Sequence, residues 1–224
     1  RPRQMCIGAS IYRYLNLVVT PAATITGMQV YASVDAKGKE GVLSVCADFE
    51  DFAGVSNARV SVKITDPSGR VLERYGRIMD DLSGNKELLS FTIKKPLLWS
   101  TTDPSLYYCD LTLSSDAGEI TVSDRFSFRH FEFADKGPFY LNGQRLLLRG
   151  THRHEDHAGV GAAMDEVTIV KEMEMMKQMG VNFIRLGHYQ QSRIVLQACD
   201  RLGILVWEEI PWCRGGPGGP VYRE

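Results

Sequence analysis

The sequence predicts an immunoglobulin-like β-sandwich followed by a parallel α/β section, and three observations carry that reading. Up to Phe133, short runs rich in β-branched residues recur between turn signals with almost no helical periodicity. After Phe133 the pattern changes to amphipathic helices set between short apolar strands. Of the 224 residues, 44% are apolar and 24% charged, an ordinary globular composition with material for a sizeable core.

The β part reads from its N-terminal end as runs at residues 15–20, 29–34, 41–49 and 58–64. In the last of these Val60, Val62 and Ile64 alternate onto one face, the mark of a half-buried strand. Asp66-Pro67-Ser68-Gly69 is a turn, because proline presets φ and glycine tolerates positive φ. Further runs follow at 90–93, 107–113 and 125–129, with Asp116-Ala117-Gly118 turning between the last two. Many short strands with regular turns are the pattern of a sandwich of immunoglobulin type. Trp99, near Pro96 and Pro104, belongs in its core, and His130 has a structural place in the linker after it.

Beyond the linker, 139–141 and 145–148 flank Asn142-Gly143, a strong hairpin signal. Asp165 suits an N-cap and Glu166 the first helical turn. Ile169, Val170, Met173, Met176 and Met179 supply a buried stripe, and Gly180 suits the stop. A strand at 181–186, a helix at 192–201 and a strand at 203–208 complete the alternation. The run 214–220, rich in glycine and proline, is a loop. Three strands and two helices are too few to close an eightfold barrel.

Charge and cysteine usage exclude several classes. A net charge of −1 gives no footprint for nucleic acid or an anionic membrane. No apolar run reaches the roughly 18 residues of a membrane span. The N-terminus has neither an initiator methionine nor a segment of signal-peptide length, so the chain is expected to be a piece of a longer protein whose compartment cannot be read. Cysteines 6, 46, 109, 199 and 213 form no Cys-x-x-Cys pair and read as free thiols, mostly buried.

His152, His154, Asp156 and His157 support two chemistries. His-x-His-x-Asp-His after a strand is the ligand pattern of zinc-dependent hydrolases, where metal lowers the pKa of a bound water. A dinuclear site needs further ligands downstream, and only His188 remains there. The same histidines can instead line a sugar pocket, with His152 and His157 as solvated loop residues in the simplest reading.

The longer pattern decides between them. Gly8-Ala9-Ser10-Ile11-Tyr12-Arg13, Asn142-Gly143, Arg149-Gly150 and Arg153-His154-Glu155 occur in order. Met164-Asp165-Glu166 and Met176-Lys177-Gln178 follow. Then come Asn182, Ile184, Arg185, His188 and Tyr189, with Asp200 and Gly203 behind them. Over nearly all its length the chain resembles glycoside hydrolase family 2, the β-galactosidase and β-glucuronidase group, and within it looks most like a bacterial β-galactosidase. Leu186-Gly187 replaces the usual pair of small residues, and Gln190 the usual proline.

The resemblance implies the end of a sugar-binding jelly roll at 1–20, an immunoglobulin-like sandwich at 21–133 and the first part of a TIM (β/α)8 barrel at 134–224. It implies retaining hydrolysis of a terminal β-galactoside, with β-glucuronides and β-mannosides as alternatives. His154 and His188 would hydrogen-bond sugar hydroxyls, Arg185 would hold the nucleophilic glutamate ionised, and Glu209 is a further pocket candidate. Trp207 and Trp212 are placed to stack on a sugar ring. Both catalytic glutamates belong to later barrel strands, the acid/base after an asparagine, and no Asn-Glu dipeptide occurs here. Glu208-Glu209 is no substitute pair, because neighbouring strand residues point to opposite faces. The chain alone is therefore expected to be inactive. The resemblance implies no organic cofactor, and no Glu-x-His magnesium ligands follow the third strand. The expected partners are carbohydrate, the remainder of the barrel and, through uncovered strand edges, a second copy. A non-catalytic sandwich that binds carbohydrate or a partner domain is a different functional class open to the same sequence.

Overall fold

The computed structural model describes Arg13 and residues 15–51, 54–55 and 58–211. The chain divides into two compact units, Val19–Leu147 and Leu148–Glu224 together with Arg1–Val18.

The first unit is a sandwich built on β1 (Ala23–Val34), β2 (Glu40–Asp51), β3 (Ala58–Thr65), β4 (Val71–Met79), β5 (Asn85–Lys94), β6 (Tyr107–Ser115) and β7 (Gly118–Phe126). A three-stranded sheet in the order β1-β2-β5 supplies one layer and a four-stranded sheet, β4-β3-β6-β7, the other. Every pairing within them is antiparallel. Alternation dictates the packing: Val60, Val62 and Ile64 are buried against Leu43, Val45 and Ala47 of β2 and Leu111 and Leu113 of β6. The 66–69 turn forms because Asp66 Oδ1 accepts from the backbone N–H groups of Ser68 and Arg70, each at 3.0 Å. Those bonds and the one from the Ser68 hydroxyl hold the Asp66 carboxyl below its ordinary range.

Trp99 is fully buried, as the sequence predicts, with the Arg129 guanidinium 4.9 Å from its ring centroid. A small sheet follows, β10-β9-β8, from β8 (Phe131–Phe133), β9 (Phe139–Leu141) and β10 (Gln144–Arg145). Its hairpin turns at Asn142-Gly143, both at positive φ, and Asn142 Nδ2 donates to the Trp99 carbonyl at 3.0 Å. The backbone of His130 accepts from Asn142 N–H at 2.6 Å and donates to Asn142 Oδ1 at 3.0 Å, which gives that residue its structural place.

Four expectations need correction. The run 15–20 forms no strand; Leu15, Leu17, Val18 and Val19 are exposed, and a β-branched run with no neighbouring edge among the described residues has no ladder to join. The run 125–129 is the end of a strand that began at Gly118 and stops at Phe126, with Phe128 making only an isolated bridge to Leu98. Leucines 146–148 lie outside the strand β10. An edge strand, β4, has no counterpart in the expected elements, because Glu73, Arg74, Gly76 and Arg77 hide the alternation.

The second unit is a parallel βαβαβ section: β11 (Gly150–Arg153), α1 (Glu166–Gln178), β12 (Phe183–Leu186), α2 (Arg193–Leu202) and β13 (Leu205–Glu208). The sheet order is β11-β12-β13, both pairs parallel. Asp165 caps α1 by accepting from Thr168 N–H, and Ser192 caps α2 by accepting from Ile194 N–H. Gly203 ends α2 at φ +70, a left-handed position that favours glycine. Ile169 and Met173 pack with Ile184, Leu186, Val195, Ala198 and Cys199. Met179, expected in that stripe, is exposed because the helix has ended one residue before it. Cys46, Cys109 and Cys199 are free, and burial pushes the Cys109 and Cys199 thiols up to about 12. Cys6, Cys213, Trp212 and the 214–220 loop lie outside the described residues.

Candidate functional site

Strand parity builds the site. Ile184 and Leu186 point into the helix-covered core, so Arg185 between them points to the opposite face. Register places His152 beside Arg185 and Arg185 beside Trp207. That open face thus carries one residue from each strand, with His154, His188 and Glu209 at the C-terminal ends. Arg153 and Glu155, one step out of phase on β11 and just beyond it, are only 3% and 5% exposed.

Glu209 is the organising acceptor. Its Oε1 accepts from Arg185 Nε at 2.7 Å and from Arg185 Nη2, and its Oε2 accepts from His188 N–H at 2.6 Å, with His188 Nδ1 3.1 Å away. The bond from His188, followed by those from Arg185, holds the Glu209 carboxyl below its ordinary range. Arg185 Nη1 also lies 3.1 Å from His152 Nδ1. A guanidinium only donates, so the imidazole facing it serves as the acceptor. Partial desolvation, then repulsion by Arg185, lowers the His152 pKa. The rings of His152 and His154 stand 4.5 Å apart, and those of His154 and His188 5.5 Å. Arg185, His188, Trp207, Glu208, Glu209 and Ile210 line an open depression of about 580 Å³.

His188 adopts φ +71 without being glycine. Just before it, a Cβ on Gly187 would meet Nε2 of His152, so a larger residue there would push that imidazole aside.

All four sequence-derived site residues, His154, Arg185, His188 and Glu209, come together. The residues of the alternative zinc pattern are not gathered: His152 and His154 lie on the open face, while His157 Nδ1 sits 3.1 Å from Glu172 Oε1 of α1. Among the described residues no three His, Cys, Asp or Glu side chains gather to hold a metal. His152, outside the four sequence-derived site residues, also lies on this face. Its spacing of two from His154 across a strand end was the available signal.

Protonation of these groups sets an acid sensitivity. His152, with a lowered folded pKa, binds its proton more readily when unfolded, so stability falls as pH drops below the ordinary value of 6.5. Glu209, also lowered, contributes stability above the ordinary 4.5 that is lost as pH falls through its folded value. The midpoint of thermal unfolding is expected to fall in two stages on acidification, and His152→Gln to remove the first. A single stage in both proteins would contradict this.

Two family models match consecutive parts of the chain: "Glycosyl hydrolases family 2" over residues 23–129 and "Glycosyl hydrolases family 2, TIM barrel domain" over 132–215. The chain belongs to glycoside hydrolase family 2. Its architecture is that family's sandwich followed by the start of its TIM-barrel domain. The crystal structure of Parabacteroides merdae β-glucuronidase is 52% identical with a TM-score of 0.90, covering 94% of this chain and 26% of that one. Apo β-glucuronidase 3 of Bacteroides uniformis is 48% identical with a TM-score of 0.85, over 94% of this chain and 26% of that one. A β-galactosidase of Thermoanaerobacterium thermosulfurigenes is 36% identical over 206 residues, 90% of this chain and 28% of its own. The chain spans 20% of one and 31% of another of the curated family 2 relatives it matches.

Proposed function

We propose that the chain is the central part of a retaining exo-β-glycosidase that cleaves terminal β-D-glucuronides. Its strand-end residues would form part of the sugar pocket. The observation that carries the reading is the Arg185–Glu209–His188 clamp on the open face of the parallel strands, where barrels of this kind place their pockets. Likeness to the β-glucuronidase structures at 52% and 48%, against 36% for the β-galactosidase, favours a glucuronide over the galactoside that the sequence alone puts first.

Retention needs two carboxyl groups about 5–5.5 Å apart, a nucleophile and a proton donor. Glu209 fits neither part. Its carboxylate is held ionised by Arg185 and His188, so it has no proton to give near neutrality, and both oxygens are engaged. The family resemblance assigns the two reacting glutamates to later strands. Here His154 and His188 present ring nitrogens to sugar hydroxyls, Arg185 supplies positive charge beside the reacting carboxylates, and Trp207 offers an apolar face. Glu209 fixes Arg185 and His188 relative to each other before substrate arrives.

A panel of nitrophenyl β-glycosides tests this, assayed with this chain and with the protein extended to its relatives' length. The extended protein is expected to cleave the glucuronide fastest and this chain to cleave none. Fastest cleavage of the galactoside would return the substrate to that alternative. Turnover by this chain alone would overturn the placement of the reacting carboxylates.

A further inference from the structure

We propose that Arg13 and Glu155, outside the sugar-facing pocket, are positioning residues that hold the His188 turn in its working conformation. The inference rests on the reading of His188 as a sugar-facing group.

Parity again explains the arrangement. His152 and His154 take the open face, so Glu155 takes the covered one, where its side chain is 3% exposed. A buried carboxylate is costly unless its oxygens are satisfied. Oε1 accepts from the N–H of Ser192, the N-cap of α2, and Oε2 from Arg13 Nη2 at 2.7 Å. The same Arg13 nitrogen donates to the Gln190 carbonyl at 2.7 Å. The N–H of Glu155 donates to the Tyr189 hydroxyl at 2.8 Å. Tyr189, Gln190 and Ser192, three of the four residues after His188, are thus fastened to one ion pair. The fourth, Gln191, is held through Arg153, with bonds of 2.6 and 2.7 Å.

These fastenings matter because of His188 itself. Its left-handed φ is disfavoured for a side chain with a Cβ. Glu209 holds the N–H side of the turn, and the Arg13–Glu155 pair holds the following residues. With one anchor gone, the turn has a cheaper backbone to relax into, and the imidazole leaves its place 5.5 Å from His154. The core under α2 is packed by Val195, Ala198 and Cys199, whereas loss of Arg13 leaves the buried Glu155 carboxylate without its cation, so thermal unfolding of each variant is measured beside its kinetics.

The test is a double-mutant cycle in the extended enzyme, using whichever aryl β-glycoside it cleaves best. Arg13→Met is expected to lower kcat/KM by about 10–100-fold, the range for a catalytic group displaced by about 1 Å. Arg13→Lys is expected to recover part of the loss, since it restores the ion pair but not the forked second donation. In a His188→Ala background, Arg13→Met should change kcat/KM by less than about twofold, because the group it positions is gone. Equal losses in both backgrounds, or no loss in the parent, would overturn the proposal. Preference for a substrate other than the glucuronide would change the substrate class and leave this inference standing. Full activity of His188→Ala would sink both.

Discussion

Glu209→Gln is expected to lower kcat/KM of the extended enzyme about a hundredfold, by the mispositioning of groups the carboxylate holds, while the chain stays folded. The carboxylate has four donors in front of it: Nε and Nη2 of Arg185, the N–H of His188 and, in one tautomer, Nδ1 of His188. An amide offers one oxygen and turns its NH2 towards another donor, so at least one charged or backbone donor loses its acceptor. Arg185 is then free to swing, and His188 loses the bond that offsets its backbone conformation. The core of the unit lies on the other face of the sheet, so folding is barely touched. Steady-state kinetics and thermal unfolding of the same variant separate the two effects. Activity within threefold of the parent would show that Glu209 does not organise the pocket.

Trp99→Ala is expected to produce the largest loss of stability, about 3–5 kcal/mol, typical of an indole deleted from a close-packed core. Trp99 is fully buried, the guanidinium of Arg129 covers its ring, and its backbone ties Phe128 and Asn142 together. Deletion removes the ring's dispersion contacts and leaves a space that backbone anchored to both Phe128 and Asn142 cannot collapse to fill. Urea unfolding should show a lower midpoint with an unchanged slope for the sandwich transition. Trp99→Phe, which keeps most of the volume, should lose clearly less. A shift below about 1 kcal/mol for the alanine variant would mean the core repacks around the gap.

How much of this was legible in the sequence depends on whether a residue's partner is local. Val60, Val62 and Ile64 announced their strand, and Asp165 its helix, because alternation and capping are short-range. Residues 15–20 have strand-like composition, but a strand exists only where another edge accepts its hydrogen bonds. β4 shows the reverse: a poor pattern forms a strand because β3 offers it a ladder. At the candidate site, His154, Arg185 and His188 stand in the family motif, and Glu209 is a pocket candidate from its place after the third strand. Their mutual bonding was not legible, since Arg185 and Glu209 meet only once β12 and β13 are in register. Glu155 was visible as part of a motif, but its partner Arg13 is too distant in sequence for any periodicity to connect them.

That distance also bears on the order of folding. Arg13 and Glu155 are 142 positions apart, and closing a flexible loop of that size costs about 4 kcal/mol. One partly exposed ion pair, typically worth about 1 kcal/mol or less, cannot drive such a closure. Pairings internal to the intervening sandwich, such as β3 with β6, close shorter loops and are expected to form before it. Fastening of the His188 turn is then a late event on the way to the native state. On the way out it is an early one, so the pocket's geometry is gained last and lost first.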